Sequence, residues 1–385
     1  MAVIFAISGL GFAGANLLLA RSLTVIDYAL FALVMALLNV SIYIAPAGAD
    51  GLVNRRRLEP SPGMLRRVLF TSAVVGTVTV VVGALLYPLD TLLLLFILTG
   101  VIAGGATTLA AAYFQSRLRF EVSIAVSQSA NLILLLAAAG TLVLAVTSVW
   151  PPIATLVIGY LAVAGLSWGK LLRKHAARAR EEEWYGWAEP LSYAGVRGVG
   201  IVLGQAERLI IPWFLSLEAL ATYGVLAAIA LSPFRMLQVG VGHTLLPRLR
   251  EAGSIRARQR LLVGEAVAVG AAAIAAALFV WFAGPLIVEW LLAGKYYLPS
   301  ALILAALAAG LAKILTSFLN TIIEGLGSTR ELFLMNLIGW GSVGLTIACA
   351  ALGATWGLVG LVYGVAVGWM GRAVATGFLV IRHVR

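Results

Sequence analysis

The chain reads as an all-α polytopic membrane protein, with about twelve transmembrane helices in two parallel-oriented six-helix bundles and both termini in the cytoplasm. Three observations carry this reading: the composition, the placement of the basic residues and an internal repeat. Of the 385 residues, 62% are hydrophobic and 11% charged, with a mean hydropathy of +1.01. Soluble domains are nearer a quarter charged, so this much apolar surface has no soluble core to fill and must face lipid.

The basic residues fall in alternate gaps between the long apolar runs. Arg55, Arg56, Arg57, Arg66 and Arg67 follow the second run, Arg117 and Arg119 the fourth, and Lys170, Arg173, Lys174, Arg178 and Arg180 the sixth. Arg248, Arg250, Arg256, Arg258 and Arg260 follow the eighth, Arg330 the tenth, and Arg382 and Arg385 close the chain. The intervening gaps hold almost nothing basic, Lys295 being the clear exception beside Arg21. Lys and Arg accumulate in cytoplasmic loops, so the alternation sets both the number of crossings and their direction. The net charge of +11 belongs to those loops and to attraction for anionic lipid, and no nucleic-acid partner is expected.

In order, the spans are expected at 3–20, 29–48, 68–87, 91–114, 122–146, 150–168, 191–214, 220–242, 261–283, 299–322, 332–352 and 355–380, each near the ~20 residues that cross ~30 Å of hydrocarbon. The first lacks a basic region ahead of it and Arg21 follows it, so it reads as a retained span and not a cleaved signal. The largest polar stretch, Lys170 to Pro190, reads as a cytoplasmic connector, with Glu181, Glu182 and Glu183 on a solvated face. It divides the chain into 1–180 and 181–385. Gly284 to Leu298 is too interrupted to span and is expected at the outer interface, anchored by Trp290, Tyr296 and Tyr297.

The halves repeat. "LLLARSLTVIDYALFALVMALLN" around Tyr28 matches "IPWFLSLEALATYGVLAAIALS" around Tyr223, 195 residues on, each with one acid in the preceding outer loop, Asp27 and Glu218. Downstream, "GLVNRRRLE" from Gly51 aligns with "TLLPRLREA" from Thr244. An even number of spans per repeat gives both halves one orientation, related by an axis along the membrane normal, which is a transporter's arrangement.

Several motifs lead nowhere. Gly9, Gly11 and Gly14 spell G-x-G-x-x-G inside a span, where close helix packing accounts for them and a dinucleotide site does not. There is no phosphate-binding G-x-x-x-x-G-K loop, and His175, His243 and His383 are scattered without a second ligand at metal spacing. The Asn39 sequon lies within a span, and the single cysteine, Cys349, can form no internal disulfide. No cofactor, metal or catalytic residue is expected, and the outer loops are too short for the catalytic domain of a membrane polymerase or glycosyltransferase.

Ionisable residues at membrane depth cost ~2.5 to 3.5 kcal/mol on insertion scales, so they normally face a bundle interior or a water-filled cavity. Span seven carries Arg197, Gly200, Gly204 and Arg208 at offsets that keep them on one helix face, and span ten does the same with Lys313, Ser317, Asn320 and Glu324. Span eight adds Arg235 shortly after Pro233, with Gln238 near it, and span five Ser123, Ser127 and Asn131. Arg197, Arg208, Arg235, Lys313, Ser317, Asn320 and Asn131 are therefore the candidate substrate contacts. Cations so placed suit an anion, and guanidinium donors match phosphate bidentately. Glu207 and Glu324 are the coupling candidates. Glu207 beside Arg208 either couples or neutralises its neighbour, and the Ser and Asn stripes either contact substrate or bond between helices. Arg372 and Glu265 read as snorkelling to the interface.

The order helix, short loop, Tyr, helix, basic loop in "LARSLTVIDYALFALVMALLNVSIYIAPAGADGLVNRR" resembles the opening of the polysaccharide flippases of the multidrug/oligosaccharidyl-lipid/polysaccharide exporter superfamily. "ERLIIPWFLSLEALATYGVLAAI", "LLPRLREA", "LLAGKYYLPSALIL" and "IIEGLGSTRELFLMNLI" continue the likeness over essentially the whole chain. The resemblance implies a V-shaped central cavity between two bundles, open to each side in turn, and a non-enzymatic transporter in the cytoplasmic membrane. Its substrate would be a polyprenyl-diphosphate-linked saccharide of the O-antigen or lipopolysaccharide kind. Expected partners are that substrate, membrane lipid, a coupling proton or sodium ion, and the polymerase or glycosyltransferase machinery. An ion-coupled multidrug or cation antiporter of the same fold is the alternative. The amino terminus is shorter than is usual in that family, which implies a few missing cytoplasmic residues.

Overall fold

A computed structural model describes residues 2–175, 186–251 and 254–384. Among these residues the chain is helical, and its regular elements begin with α1 (Ala2–Ser22), α2 (Val25–Ile44), the short α3 (Ala49–Arg56), α4 (Pro62–Leu86), α5 (Thr91–Ser116), α6 (Phe120–Val143) and α7 (Trp150–His175). After the connector come α8 (Ala188–Phe214), α9 (Leu217–Leu226), a π-helical turn (Ala227–Leu231), α10 (Ser232–Glu251), α11 (Ile255–Leu292), α12 (Ser300–Leu326), α13 (Thr329–Ala354) and α14 (Gly357–Val384). Ten segments are long and apolar enough to cross a membrane, α9 through the first part of α10 counting as one. The 21-residue α1 and the 27-residue α8, which carries Arg197, Glu207 and Arg208, make up the twelve.

Two compact units form. The first consists chiefly of Gly14–Leu209, the second of Ile4–Ala13 with Ile210–Arg385. Within the first, the outer turns are tied by acids. Asp90 caps α5 through the Leu93 amide at 2.8 Å and accepts the Trp150 indole N–H at 3.0 Å, while Asp27 accepts the Val149 amide at 3.1 Å. At the cytoplasmic end Glu59 pairs with Arg117 and accepts a hydrogen bond from the Tyr113 hydroxyl at 3.3 Å. The turn between α2 and α3 needs glycine at Gly48: its φ is +81°, and a Cβ there would lie 1.7 Å from the Pro190 carbonyl oxygen.

The repeat is visible in burial. Tyr28 and Tyr223 are both interior, and Leu52 and Leu245, paired by the Gly51/Thr244 alignment, are both fully buried. Each seeds an apolar cluster at the cytoplasmic end of its unit, Leu52 with Met64, Val68, Leu109 and Trp168, and Leu245 with Leu249, Leu262, Ile323 and Val380.

In the second unit α14 packs against α13 through glycines at every fourth position. A Cβ at Gly364 would meet the Cys349 carbonyl oxygen at 2.2 Å, and one at Gly368 the Thr346 hydroxyl oxygen at 2.3 Å. Lipid tails provide no hydrophobic drive between helices, so such backbone approach supplies the packing.

Two expectations are corrected. Gly284 to Leu298 is not a separate interfacial segment: α11 runs unbroken to Leu292 with Pro285 inside it, and only the tail beyond, opened by Ala293 at φ +51° and Gly294, leaves the helix. Trp290 and Tyr297 are exposed, as anchors would be, but Tyr296 is buried under Lys295 and its phenol is held well above the usual range by that burial. Glu265 does not snorkel; it pairs with Arg248 at 2.5 Å across the turn between α10 and α11. The Glu181–Glu183 run lies outside the described residues.

Candidate substrate and coupling site

In the first unit the candidates lie on α6 and α8. Glu207 is 2% exposed and Arg208 8%, and the Arg208 guanidinium donates to Gln205 Oε1 at 3.4 Å. Adjacent residues on a helix point about 100° apart, so Glu207 and Arg208 serve different neighbours. The side chain of Arg197 lies outside the described residues. On α6, Ser123 donates to the Ala111 carbonyl of α5 at 2.8 Å, an interhelical bond, and Ser127 to the Ile124 carbonyl within its own helix. Asn131 donates to Gln128 one turn away at 2.9 Å.

In the second unit the chain first has to bend. Pro233 lacks an amide hydrogen, and its ring would clash with the Ile229 carbonyl of a regular helix. The wide π turn at Ala227–Leu231 relieves both, and Ser232 donates to the Ala227 carbonyl at 3.4 Å. Arg235 follows that irregularity directly, with its guanidinium 6.0 Å from the centre of the Phe12 ring. Ser317 of α12 donates to the backbone carbonyl of Gln238 at 3.3 Å.

The Lys313 stripe of α12 is completed by a face of α14 that the sequence reading passed over. Lys313 Nζ and the Arg372 guanidinium carbon both approach Trp369, at 5.5 and 5.7 Å from its ring centroid. Thr316 donates to the Trp369 carbonyl at 3.2 Å, which sets the two helices level. Asn320, one turn further along, lies at the depth of Arg372 to Thr376, and exposed Glu324 is close enough to Arg372 to interact with it electrostatically. Arg372 is 7% exposed, so the snorkelling reading is wrong. The expected span ended at 380, whereas α14 continues to Val384 and leaves Arg372 about 18 Å from the helix end. Trp369, Arg372 and Thr376 sit at offsets of 3 and 7, the same spacing that marked the other stripes, so the signal was present.

Lys313, Ser317, Asn320 and Glu324 thus share one seam with Trp369, Arg372 and Thr376, while Arg235 lies elsewhere on α10. Among the described residues no group of three or more His, Cys, Asp or Glu could hold a metal. The chemistry available is cationic, with aromatic surface and hydrogen-bond donors.

No family profile matches the chain, and no curated protein does. Solved structures match over nearly all of it. It is similar to the lipid II flippase MurJ in an inward closed conformation, at 12% identity and a TM-score of 0.72, covering 99% of this chain and 88% of that one. An outward-facing multidrug-resistance MATE transporter of the MOP superfamily matches at 10% identity and a TM-score of 0.59, covering 100% and 93%. A MOP superfamily transporter from Pyrococcus furiosus, described as having a binding pocket of reversed polarity, matches at 12% and 0.55, covering 99% and 95%. The chain therefore has the fold that these solved structures share.

Proposed function

We propose that this chain is a flippase of the cytoplasmic membrane that carries a polyprenyl-diphosphate-linked saccharide outward by alternating access between its two six-helix halves. The observation that supports this best is the pairing of Lys313 and Arg372 on one buried indole at mid-span, where the nearby acid is the exposed Glu324. Such a surface favours an anion, and a diphosphate is the anion that a lipid-linked saccharide presents. Within the second unit Arg235 adds a further cation and Ser317 and Asn320 supply sugar contacts; in the first unit Arg208 and Asn131 are the candidate contacts, and the lipid tail stays in the bilayer. The likeness to a lipid II flippase agrees with a lipid-linked substrate.

An ion-coupled antiporter for drugs or other cations is the second reading, and buried Glu207 favours it, since a cation calls for an intramembrane acid. The test is transport of defined lipid-linked saccharides into vesicles by the purified protein. Translocation that is lost in Arg235→Ala and in Lys313→Ala, with insertion intact, supports the flippase. Each loss removes a charge-assisted phosphate contact worth ~1.5 to 3 kcal/mol. Normal translocation by the double variant, or transport of an organic cation that depends on Glu207 in place of the lipid, sinks it.

A further inference from the structure

The seam between α12 and α14 contains polar atoms with nothing to bond. The Trp369 indole nitrogen, Arg372 Nε, the Thr376 hydroxyl and Asn320 Oδ1 are all sealed from solvent and unpartnered among the described residues. Three of the four can donate a hydrogen bond, and Trp369, Arg372 and Thr376 are each more than nine-tenths buried. They lie on one face of α14 within two helical turns, flanked by the Lys313 ammonium. Native interiors satisfy nearly all such groups, and a cluster of exceptions asks for a partner that protein atoms do not supply.

The charge balance names the sign of that partner. Facing the seam are Lys313 and Arg372, and the described acids on α12, α13 and α14 are Glu324 and Glu331. Glu331 is committed to the capping box with Ser328 at the start of α13. Glu324 is exposed and reaches Arg372 from the cytoplasmic end, leaving the indole, guanidinium and hydroxyl donors to a ligand that accepts from several directions. A halide does so. It has no preferred geometry, needs less room than an oxyanion, and is cheaper to strip of water than a diphosphate.

We infer that the α12/α14 seam is a gated site for a small monoanion of the chloride class, closed in this conformation and occupied when the two helices part. The closed seam leaves its donors unsatisfied, which biases the pair of helices towards opening, and the anion supplies the missing acceptor in the open state. The site shares Lys313, Arg372 and Asn320 with the proposed substrate contacts but does not rest on that reading, because halide binding is measured without any lipid-linked substrate.

The experiment uses the full-length purified protein in detergent, titrated with sodium chloride against sodium gluconate at constant ionic strength while thermal unfolding is followed. The expected result is a saturable chloride-dependent rise in Tm, reproduced by bromide. It should weaken about tenfold in apparent affinity in Thr376→Val, which removes one hydrogen bond to the ion and nothing else. Arg372→Lys keeps the charge and removes the Nε donor, and should weaken binding likewise. Bromide soaked into crystals should give an anomalous peak beside Trp369. Equal stabilisation by gluconate, a chloride response unchanged in both variants, or bromide bound only elsewhere overturns the proposal. So does a response to inorganic pyrophosphate without one to chloride, which would return the seam to the substrate site. Loss of lipid transport with intact halide binding would strike the flippase reading alone.

Discussion

Glu207 and Arg208 are neighbours in sequence, and both are shut away from solvent on a helix that carries two further charged residues, Glu189 and Arg197. If Glu207 carries a proton during turnover, Glu207→Gln freezes it neutral. We expect that variant to insert, to bind substrate and to stop cycling, as read by single-turnover against steady-state transport in vesicles. Rescue of transport by adding Arg208→Gln would show instead that the acid only balances a neighbouring charge, because removing one member of a buried set is what makes the other costly. A contrasting case is Ser41, whose hydroxyl meets that of Thr79 at 2.6 Å between α2 and α4. Thr79 also donates to the Val75 carbonyl at 2.8 Å, so it keeps a partner when Ser41 is lost. Ser41→Ala should therefore cost only about 0.6 kcal/mol, the average for interhelical membrane hydrogen bonds, with transport unchanged; a much larger fall in thermal stability would contradict the shared-hydroxyl account.

Helix packing makes a sharper forecast. Gly364→Ala must push α14 off the α13 backbone, since the added methyl has no flexible side chain to displace. We expect a loss of ~1 to 3 kcal/mol. Gly341→Ala, on α13 with open space around it, should be neutral or stabilise by up to ~1 kcal/mol through helix propensity. Parallel thermal melts of the two proteins decide the matter, and equal effects would refute it. Helices were legible in the sequence wherever charge punctuated apolar runs, as Arg117 and Arg119 do after α5. They are not legible at Gly284 and Pro285, where the expected span stops at 283 and the helix continues to Leu292. In a membrane helix neighbouring groups and local adjustment re-satisfy the freed backbone, so the residue pair that ends soluble helices is only an interruption inside α11. Pro233 is the opposite case. Its disruption is absorbed by the π turn at Ala227–Leu231, which nothing in the spacing of the chain announces.

Direction of threading follows from the loops taken together. Cysteines at Glu59, Arg256 and Arg330, introduced into a Cys349→Ala background, should react with an impermeant maleimide from the cytoplasmic side, and ones at Tyr297 and Trp356 from outside. Ser61, Ser216 and Ser254 make poor labelling sites, because each caps a helix, α4, α9 and α11 respectively, and its loss costs about 1 kcal/mol. Labelling of the Arg256 and Tyr297 positions from one face would overturn the twelve-span arrangement. The number and sense of the crossings could be read from the chain because basic residues resist translocation, a rule that acts on composition alone. The pairing of α12 with α14 could not. Nothing in the spacing of Lys313, Asn320 and Glu324 specifies which other helix will face them, and Arg372 looked peripheral until its helix proved longer.

At 38 residues, α11 is about 57 Å from end to end, nearly twice the ~30 Å hydrocarbon slab, and only 11% of its most apolar window is covered by the rest of the protein. Val263, Val267, Ile274, Leu278, Phe282 and Leu286 face outward along it. Such a rod meets the acyl chains almost alone, with Arg256 and Arg260 at one end and Trp290 at the other fixing its depth. A thinner bilayer leaves more apolar length to hide, and the cheapest response is to lean further. Because α11 is joined to α10 through the Arg248–Glu265 pair, that lean is passed to the segment bearing Arg235. Turnover should then vary with acyl-chain length in reconstituted membranes, making lipid thickness itself a setting of this protein.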